Sequence, residues 1–219
     1  MLKKIKWSKV LLFLLCLAPV CYVLRRAWNQ DLTANPIEYI THFTGDWTLR
    51  LIVATLAVTP LRKLLGLPVL IRYRRMIGLF AFFYGSLHFL TYLWLDKFFD
   101  LHAIVKDVGK RPFITAGFTA FACLLPLAVT STAGWIRRLG GKRWRQLHRL
   151  VYAAAIAAVA HYFWLVKADH RLPIFYGSLV AALLGYRVLN GAAFGRRAPR
   201  AQTSVPPTAA TAPAHRARR

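Results

Sequence analysis

Six apolar stretches of near-spanning length restrict the fold of this sequence more than any other feature. Crossing a bilayer core takes roughly 20 apolar residues in a helix, and a helix satisfies its own backbone hydrogen bonds in lipid. The chain is 57% hydrophobic with a mean hydropathy of +0.41, which is unusual for a soluble domain. We therefore predict an all-α integral membrane protein, a six-transmembrane-helix bundle with spans at about 8–24, 45–61, 76–95, 113–131, 150–166 and 173–189.

Charge is divided unequally between the two sides of this bundle. Most of the 31 lysines and arginines lie on the side that carries both chain ends, so the positive-inside rule predicts cytoplasmic termini. The net charge of +24 follows from this topology and from contact with anionic membrane lipid, and we predict no nucleic-acid partner. All seven acidic residues lie on the other side: Asp31, Glu38, Asp46, Asp96, Asp100, Asp107 and Asp169.

The connecting segments are too short to hold a second folded domain. Residues 1–190 are predicted to form one transmembrane domain, and residues 191–219 a disordered, basic cytoplasmic tail rich in Ala, Pro and Arg. No G-x-G-x-x-G motif occurs, so no nicotinamide or flavin domain is predicted.

Histidines at matched depths point to a cofactor inside the bundle. His88 is twelve residues from Met76 and His161 eleven from Leu150, depths of about 18 and 16–17 Å from the same side. A histidine in the membrane core is costly unless it has a partner, which is either a neighbouring helix or a metal cofactor. We predict that His88 and His161 are the axial ligands of one haem iron.

The cysteines indicate how that haem is held. Cys16, Cys21 and Cys123 all lie inside predicted spans and form neither a C-x-x-C nor a C-x-x-C-H pattern. This argues against covalent attachment and iron–sulfur ligation. The predicted cofactor is haem b, held by coordination and packing.

A second haem is suggested by His148, about 20 Å from His161 on the cytoplasmic side. The equivalent position before His88 holds Arg75, so Arg75 or Arg74 is expected to act as a propionate partner or electrostatic tuner. Thirteen residues also rotate a helix by about 140°, so His148 and His161 need different neighbours or a kink. Arg50 is expected either to reach the headgroups or to bind a propionate of the outer haem.

Several sequence segments resemble the MsrQ family, formerly YedZ, of the ferric-reductase-like transmembrane superfamily. The resemblance spans about residues 8–190, and its most specific segment is W-x-x-L-H-R-L-x-Y at 144–152. The other segments are Thr59-Pro60-Leu61-Arg62, Arg74-Arg75-Met76-Ile77-Gly78-Leu79, Tyr84 with His88, and His161.

The resemblance implies a haem-b subunit of the bacterial inner membrane. Such a subunit passes electrons to MsrP, a periplasmic molybdopterin enzyme that reduces methionine sulfoxide in oxidised proteins. The resemblance also implies an electron donor, either the quinone pool or a cytoplasmic flavin reductase, and a bound flavin mononucleotide. Arg75 stands where relatives with two bis-histidine haems carry a ligand, so the haem count of one or two is left open.

The sequence thus predicts an electron-transfer subunit of an oxidoreductase system, without a complete active site of its own. One alternative is a proton-coupled membrane transporter in which His88 and His161 relay protons and Arg50 meets an anion. The absence of acids within the predicted membrane core and of an evident internal repeat disfavours it. Another alternative is a stand-alone transmembrane metal reductase, which the lack of a cytoplasmic flavin domain disfavours.

Overall fold

The computed structural model describes the backbone of residues 2–195 and the side chains of residues 7–189. This part of the chain is helical and contains no strand, which confirms the predicted all-α class. Its eight α-helices are α1 (Leu2–Trp28), α2 (Pro36–Leu64), α3 (Ile71–Leu90), α4 (Leu101–Lys110), α5 (Pro112–Val129), α6 (Ala133–Leu147), α7 (Leu150–Leu165) and α8 (Arg171–Gly195).

Four described segments are long and apolar enough to cross a membrane: Trp7–Trp28, Pro68–Asp96, Pro112–Val129 and Arg171–Leu189. The chain is therefore a multi-pass membrane protein. The other two predicted spans fall on α2, which is long but carries several charges, and on α7, which is apolar but has only 16 residues. The count of six spans and the cytoplasmic termini stay predictions, as does the tail, of which residues 196–219 lie outside the described residues.

Two helix pairs form the centre of the bundle. α2 packs along α3, and α5 packs along α7, each over much of its length. Leu56, Tyr84, Ala154 and Ala155 are completely buried where these pairs meet. The small side chains of Ala154 and Ala155 let neighbouring helices approach closely, which is how membrane helices gain packing energy without a hydrophobic driving force.

Two helices occupy segments that the sequence analysis treated as connections. α4 begins at Asp100, whose carboxylate accepts a hydrogen bond from the Ala103 N–H, and α6 begins in the same way at Thr132. Such N-caps satisfy backbone donors that a helix start leaves free. The third span also extends beyond α3 as a π-helical turn, Thr91–Asp96, a feature that often occurs at functional sites.

Candidate functional site

A cavity of about 400 Å³ lies between α2, α3, α5 and α7. Apolar and aromatic side chains make up most of its wall, including Leu49, Phe89 and Phe121. His88 and His161 enter it from α3 and α7, and their ring centroids are 5.9 Å apart with the ring planes at 79°. The structure therefore brings together the two histidines that were placed at one depth.

His88 is held against the backbone of α2. Its Nδ1–H donates to the carbonyl oxygen of Thr41 at 2.9 Å, because a carbonyl can only accept. Gly45 lies one turn further along α2, and a Cβ there would be 3.1 Å from the His88 ring. The ring thus lies so close to α2 that a side chain at position 45 would crowd it.

His161 is held against α5 in the same manner. Its Nδ1–H donates to the carbonyl oxygen of Phe113 at 2.6 Å. A Cβ at Gly117 would be 2.9 Å from the His161 Nδ1 atom, closer than real Cβ contacts come. Both imidazoles therefore carry a hydrogen on Nδ1, and in a neutral imidazole this leaves Nε2 as the atom with a free lone pair.

These residues fit a haem iron. Metal–imidazole bonds are about 2 Å long, so two axial imidazoles on one metal have ring centres roughly 6 Å apart. The observed 5.9 Å separation, the shared Nδ1–H tautomer and the glycine-made space beside each ring meet that requirement. The second hydrogen bond of each imidazole, to a backbone carbonyl, is the usual way in which a ligating histidine is oriented.

His148 has different surroundings and does not line this cavity. Its ring lies 3.9 Å from the Trp144 ring, and its Nε2 atom lies 3.2 Å from the Thr130 hydroxyl oxygen. That hydroxyl donates to the Pro126 carbonyl, so it accepts from His148, which carries its hydrogen on Nε2. Burial and the nearby Arg74 guanidinium lower the pKa of His148 below its ordinary value. The ring is therefore neutral near pH 7.

The predicted arginines occupy three different environments. Arg74 is half-buried and lies near His148 and Arg187. The positive charges of Arg74 and Arg187 repel each other. Arg75 is exposed. Arg50 does not line the cavity. Its guanidinium donates to Asp46 at 3.3 Å and to the Tyr176 hydroxyl at 3.3 Å, and its side chain is 44% exposed.

The charged and polar residues of the cavity wall were not predicted from the sequence as site residues. They include Arg111, His42, Asp46, Asp96 and Tyr92. Arg111 immediately precedes α5, two residues before the Phe113 carbonyl that holds His161. The position of Arg111 at the start of α5 could have indicated that it lies near His161. That inference requires knowing that α5 packs against α7, which the sequence does not show.

Comparison with known proteins adds an independent finding. The family described as "ferric reductase like transmembrane component" matches residues 44–159, a range that contains His88 and His148 and ends just before His161. No solved structure matches the chain.

Curated relatives match over more of the chain. The relative from Herminiimonas arsenicoxydans is 54% identical over 82% of this chain and 84% of its own length. Those from Azospira oryzae and Caulobacter vibrioides are 56% and 49% identical, each over 83% of this chain and over 78% and 86% of their own lengths. All three are named protein-methionine-sulfoxide reductase heme-binding subunit MsrQ. These matches confirm the resemblance: the chain belongs to the MsrQ family of ferric-reductase-like transmembrane proteins.

Proposed function

We propose that this protein is the haem-b electron-transfer subunit of a methionine sulfoxide reductase system and that His88 and His161 are the axial ligands. One observation carries the proposal: two imidazoles, each donating from Nδ1 to a backbone carbonyl, enter one largely apolar cavity with their ring centroids 5.9 Å apart. The names of the relatives, each a heme-binding subunit, support it. A haem held there supplies an iron that takes up and releases single electrons.

The side chains around the histidines would shape the environment of the haem. Leu49, Phe89 and Phe121 exclude water and keep the local dielectric low, which helps to set the reduction potential. Arg111 would hold a haem carboxylate, because it lines the cavity while its Nε lies 3.4 Å from Asp107. None of the three cysteines lines the cavity, which supports a b-type haem.

Electrons would cross the bacterial inner membrane from the basic, cytoplasmic side to the acidic, periplasmic side. The donor would be a quinol or a cytoplasmic flavin reductase, and the acceptor the periplasmic molybdopterin enzyme MsrP. This direction rests on the distribution of acidic and basic residues and on six spans with both termini in the cytoplasm.

Labelling of single cysteines tests that topology. In a variant without native cysteines, Asp100→Cys and Arg138→Cys are treated in intact cells with a thiol reagent that cannot cross the inner membrane. Asp100→Cys should be labelled and Arg138→Cys should react only after the cells are broken. The opposite pattern would invert the proposed direction of electron flow.

A second haem would be held by His148, with Arg74 rather than the exposed Arg75 as the adjacent cation. To bind a metal, His148 would use Nδ1 or give up its contact with Thr130, so this site should bind more weakly than the outer one. The haem-to-protein ratio of the wild type and of His148→Ala measures it. The flavin mononucleotide that the resemblance implies stays an expectation, which flavin fluorescence of the denatured, freshly purified protein tests.

Reoxidation of the reduced protein tests the function directly. The wild type, in liposomes, is reduced with dithionite, freed of excess reductant and mixed with MsrP under argon. Methionine sulfoxide together with MsrP should reoxidise the haem, whereas either addition alone should not. Reoxidation by ferric citrate but not by MsrP with methionine sulfoxide would instead indicate a metal reductase. Colourless protein from haem-replete cells would favour the transporter.

A further inference from the structure

The two histidines are held by two equivalent structural units. In the first, α2 offers the Thr41 carbonyl and Gly45 to His88 on α3; in the second, α5 offers the Phe113 carbonyl and Gly117 to His161 on α7. In both, the glycine follows the carbonyl by four residues. The histidine follows the carbonyl by 47 residues in the first unit and by 48 in the second. The sequence shows no evident repeat, but the site is built twice on one plan.

The spacing of four residues has a physical reason. Residues n and n+4 lie on one face of a helix, one turn apart. An imidazole that reaches the carbonyl of residue n must lie over the next turn, where the side chain of residue n+4 would begin. Glycine alone leaves that surface open. The hydrogen bond and the glycine are therefore parts of one contact.

We propose that Gly45 and Gly117 are positioning residues, each forming with its carbonyl a seat that fixes the tautomer and the direction of one haem-ligating histidine. The inference rests on the proposed function, because it assigns His88 and His161 as ligands. Each seat holds the hydrogen on Nδ1 and so keeps Nε2 available to the metal. Donation from Nδ1–H to a carbonyl also makes the ligand more basic, which stabilises ferric over ferrous haem and lowers the potential.

The two seats differ in tightness. The hydrogen bond to Phe113 is 2.6 Å long and that to Thr41 is 2.9 Å, while the missing Cβ would be 2.9 Å from the ring at Gly117 and 3.1 Å at Gly45. A methyl group at Gly117 must displace the His161 ring, whereas one at Gly45 can be accommodated by a shift of a few tenths of an ångström. Alanine should therefore do more harm at 117 than at 45.

Gly117→Ala, Gly45→Ala and a matched control test the proposal in the full-length, haem-loaded protein. The control is Gly78→Ala on α3, where a Cβ would be 3.7 Å from the Thr55 side chain, an ordinary contact. The readouts are haem content, the low-spin signal in electron paramagnetic resonance and the midpoint potential. Gly117→Ala should convert much of the low-spin ferric signal to high spin and raise the potential. Gly45→Ala should raise it less, and Gly78→Ala should match the wild type.

If both Gly117→Ala and Gly45→Ala had the spin state and midpoint potential of the wild type, the proposed positioning role of the two glycines would be overturned. If that occurred while His88→Ala and His161→Ala lost haem, the proposed function would stand and only the seats would fail. If the wild type itself bound no haem, the proposed function would fail first.

A second measurement does not depend on haem loading or on the folding of the glycine variants. Haem-free wild type, produced in haem-limited cells with ¹⁵N-labelled histidine, is examined by nuclear magnetic resonance, with His88→Gln and His161→Gln for assignment. Both rings should be neutral and protonated on Nδ1. Protonation on Nε2 in both rings would overturn the proposal.

Discussion

Arg187 of α8 donates from its Nη2 atom to the carbonyl oxygen of Leu56 at 2.7 Å, in the middle of α2. In an uninterrupted helix that carbonyl would accept from the N–H of the residue four positions later, which here is Pro60. Proline has no N–H, so the carbonyl of the fully buried Leu56 is left without its helical donor. The arginine supplies the missing hydrogen bond and fastens α8 to α2.

A double-mutant cycle tests this substitution of donors. Arg187→Met keeps most of the apolar stem but leaves the Leu56 carbonyl unsatisfied, so unfolding should become easier by about 1–3 kcal/mol. In a Pro60→Ala background the backbone N–H returns, and Arg187→Met should then cost clearly less. Thermal unfolding in detergent measures all four proteins. Equal costs in both backgrounds would show that the two residues are not coupled.

Tyr152→Phe controls for the other contact of Arg187. The Arg187 Nη1 atom donates to the Tyr152 hydroxyl at 3.1 Å, and this bond is independent of Pro60. The cost of Tyr152→Phe should therefore be the same with and without Pro60→Ala.

Tyr84 should stabilise the protein by tying α3 to α1. Its hydroxyl donates to the Cys16 carbonyl at 2.8 Å and accepts from the Val20 N–H at 3.1 Å, so it stands between two groups that would bond each other in a regular helix. In Tyr84→Phe these groups can bond directly, so the expected loss is only about 0.5–1.5 kcal/mol. Thermal unfolding should show a lower melting temperature with unchanged haem content.

Tyr22→Phe is the matched control for Tyr84, because its ring is exposed on α1. It should melt like the wild type. A melting temperature of Tyr84→Phe equal to that of Tyr22→Phe would contradict the assigned role.

The stability of the protein should depend on pH through Asp107 of α4. The Lys97 ammonium, 2.8 Å away, lowers the pKa of Asp107, and Asp107 in turn raises the pKa of Lys97. A carboxyl group whose pKa is lowered in the folded protein stabilises the fold at pH values above its ordinary pKa of about 3.9. This contribution is lost as the pH falls through the folded-state pKa. A lysine whose pKa is raised in the folded protein stabilises the fold at pH values below its ordinary pKa of about 10.4. This contribution is lost as the pH rises through the folded-state pKa.

Asp107→Asn should therefore lower the melting temperature between about pH 5 and 9, and this effect should shrink steadily as the pH falls below about 3.9. The expected cost is about 1 kcal/mol or less, because water still reaches the pair. Asp31→Asn, at a carboxylate whose side chain is 74% exposed, should change little at any pH. A difference between the wild type and Asp107→Asn that does not shrink as the pH falls below about 3.9 would assign the effect to packing.

Helix positions were predictable because apolar stretches report directly on burial in lipid. Depth along a helix was predictable too, since the rise per residue is constant, and this placed His88 and His161 at one level. Counting residues says nothing about which face of a helix meets which neighbour. For that reason the sequence left open whether Arg50 reaches the headgroups or a propionate, and the structure pairs it with Asp46.

The parts that escaped prediction depend on contacts between distant residues. Gly45 and Gly117 have no sequence signal of their own, because a glycine in a membrane helix usually reflects close packing of any kind. Pro60 leaves the Leu56 carbonyl without its helical donor, and Arg187, 127 residues later in the chain, satisfies that carbonyl. In the sequence Arg187 is only one of the basic residues on the predicted cytoplasmic side. α4 is short and amphipathic, with one buried residue, Ile104, so it lacks the continuous apolar run of a span.

If His88 and His161 bind one haem, absorption spectra of purified variants will show it. Reduced-minus-oxidised spectra and haem-to-protein ratios are compared for the wild type, His88→Ala, His161→Ala and His102→Ala, whose histidine is exposed on α4 and serves as control. Thermal unfolding confirms that each variant is folded. We expect a b-type α-band in the wild type and in His102→Ala, and its loss or strong reduction in both His88→Ala and His161→Ala. Folded His88→Ala and His161→Ala proteins that keep the wild-type band and haem content would contradict it.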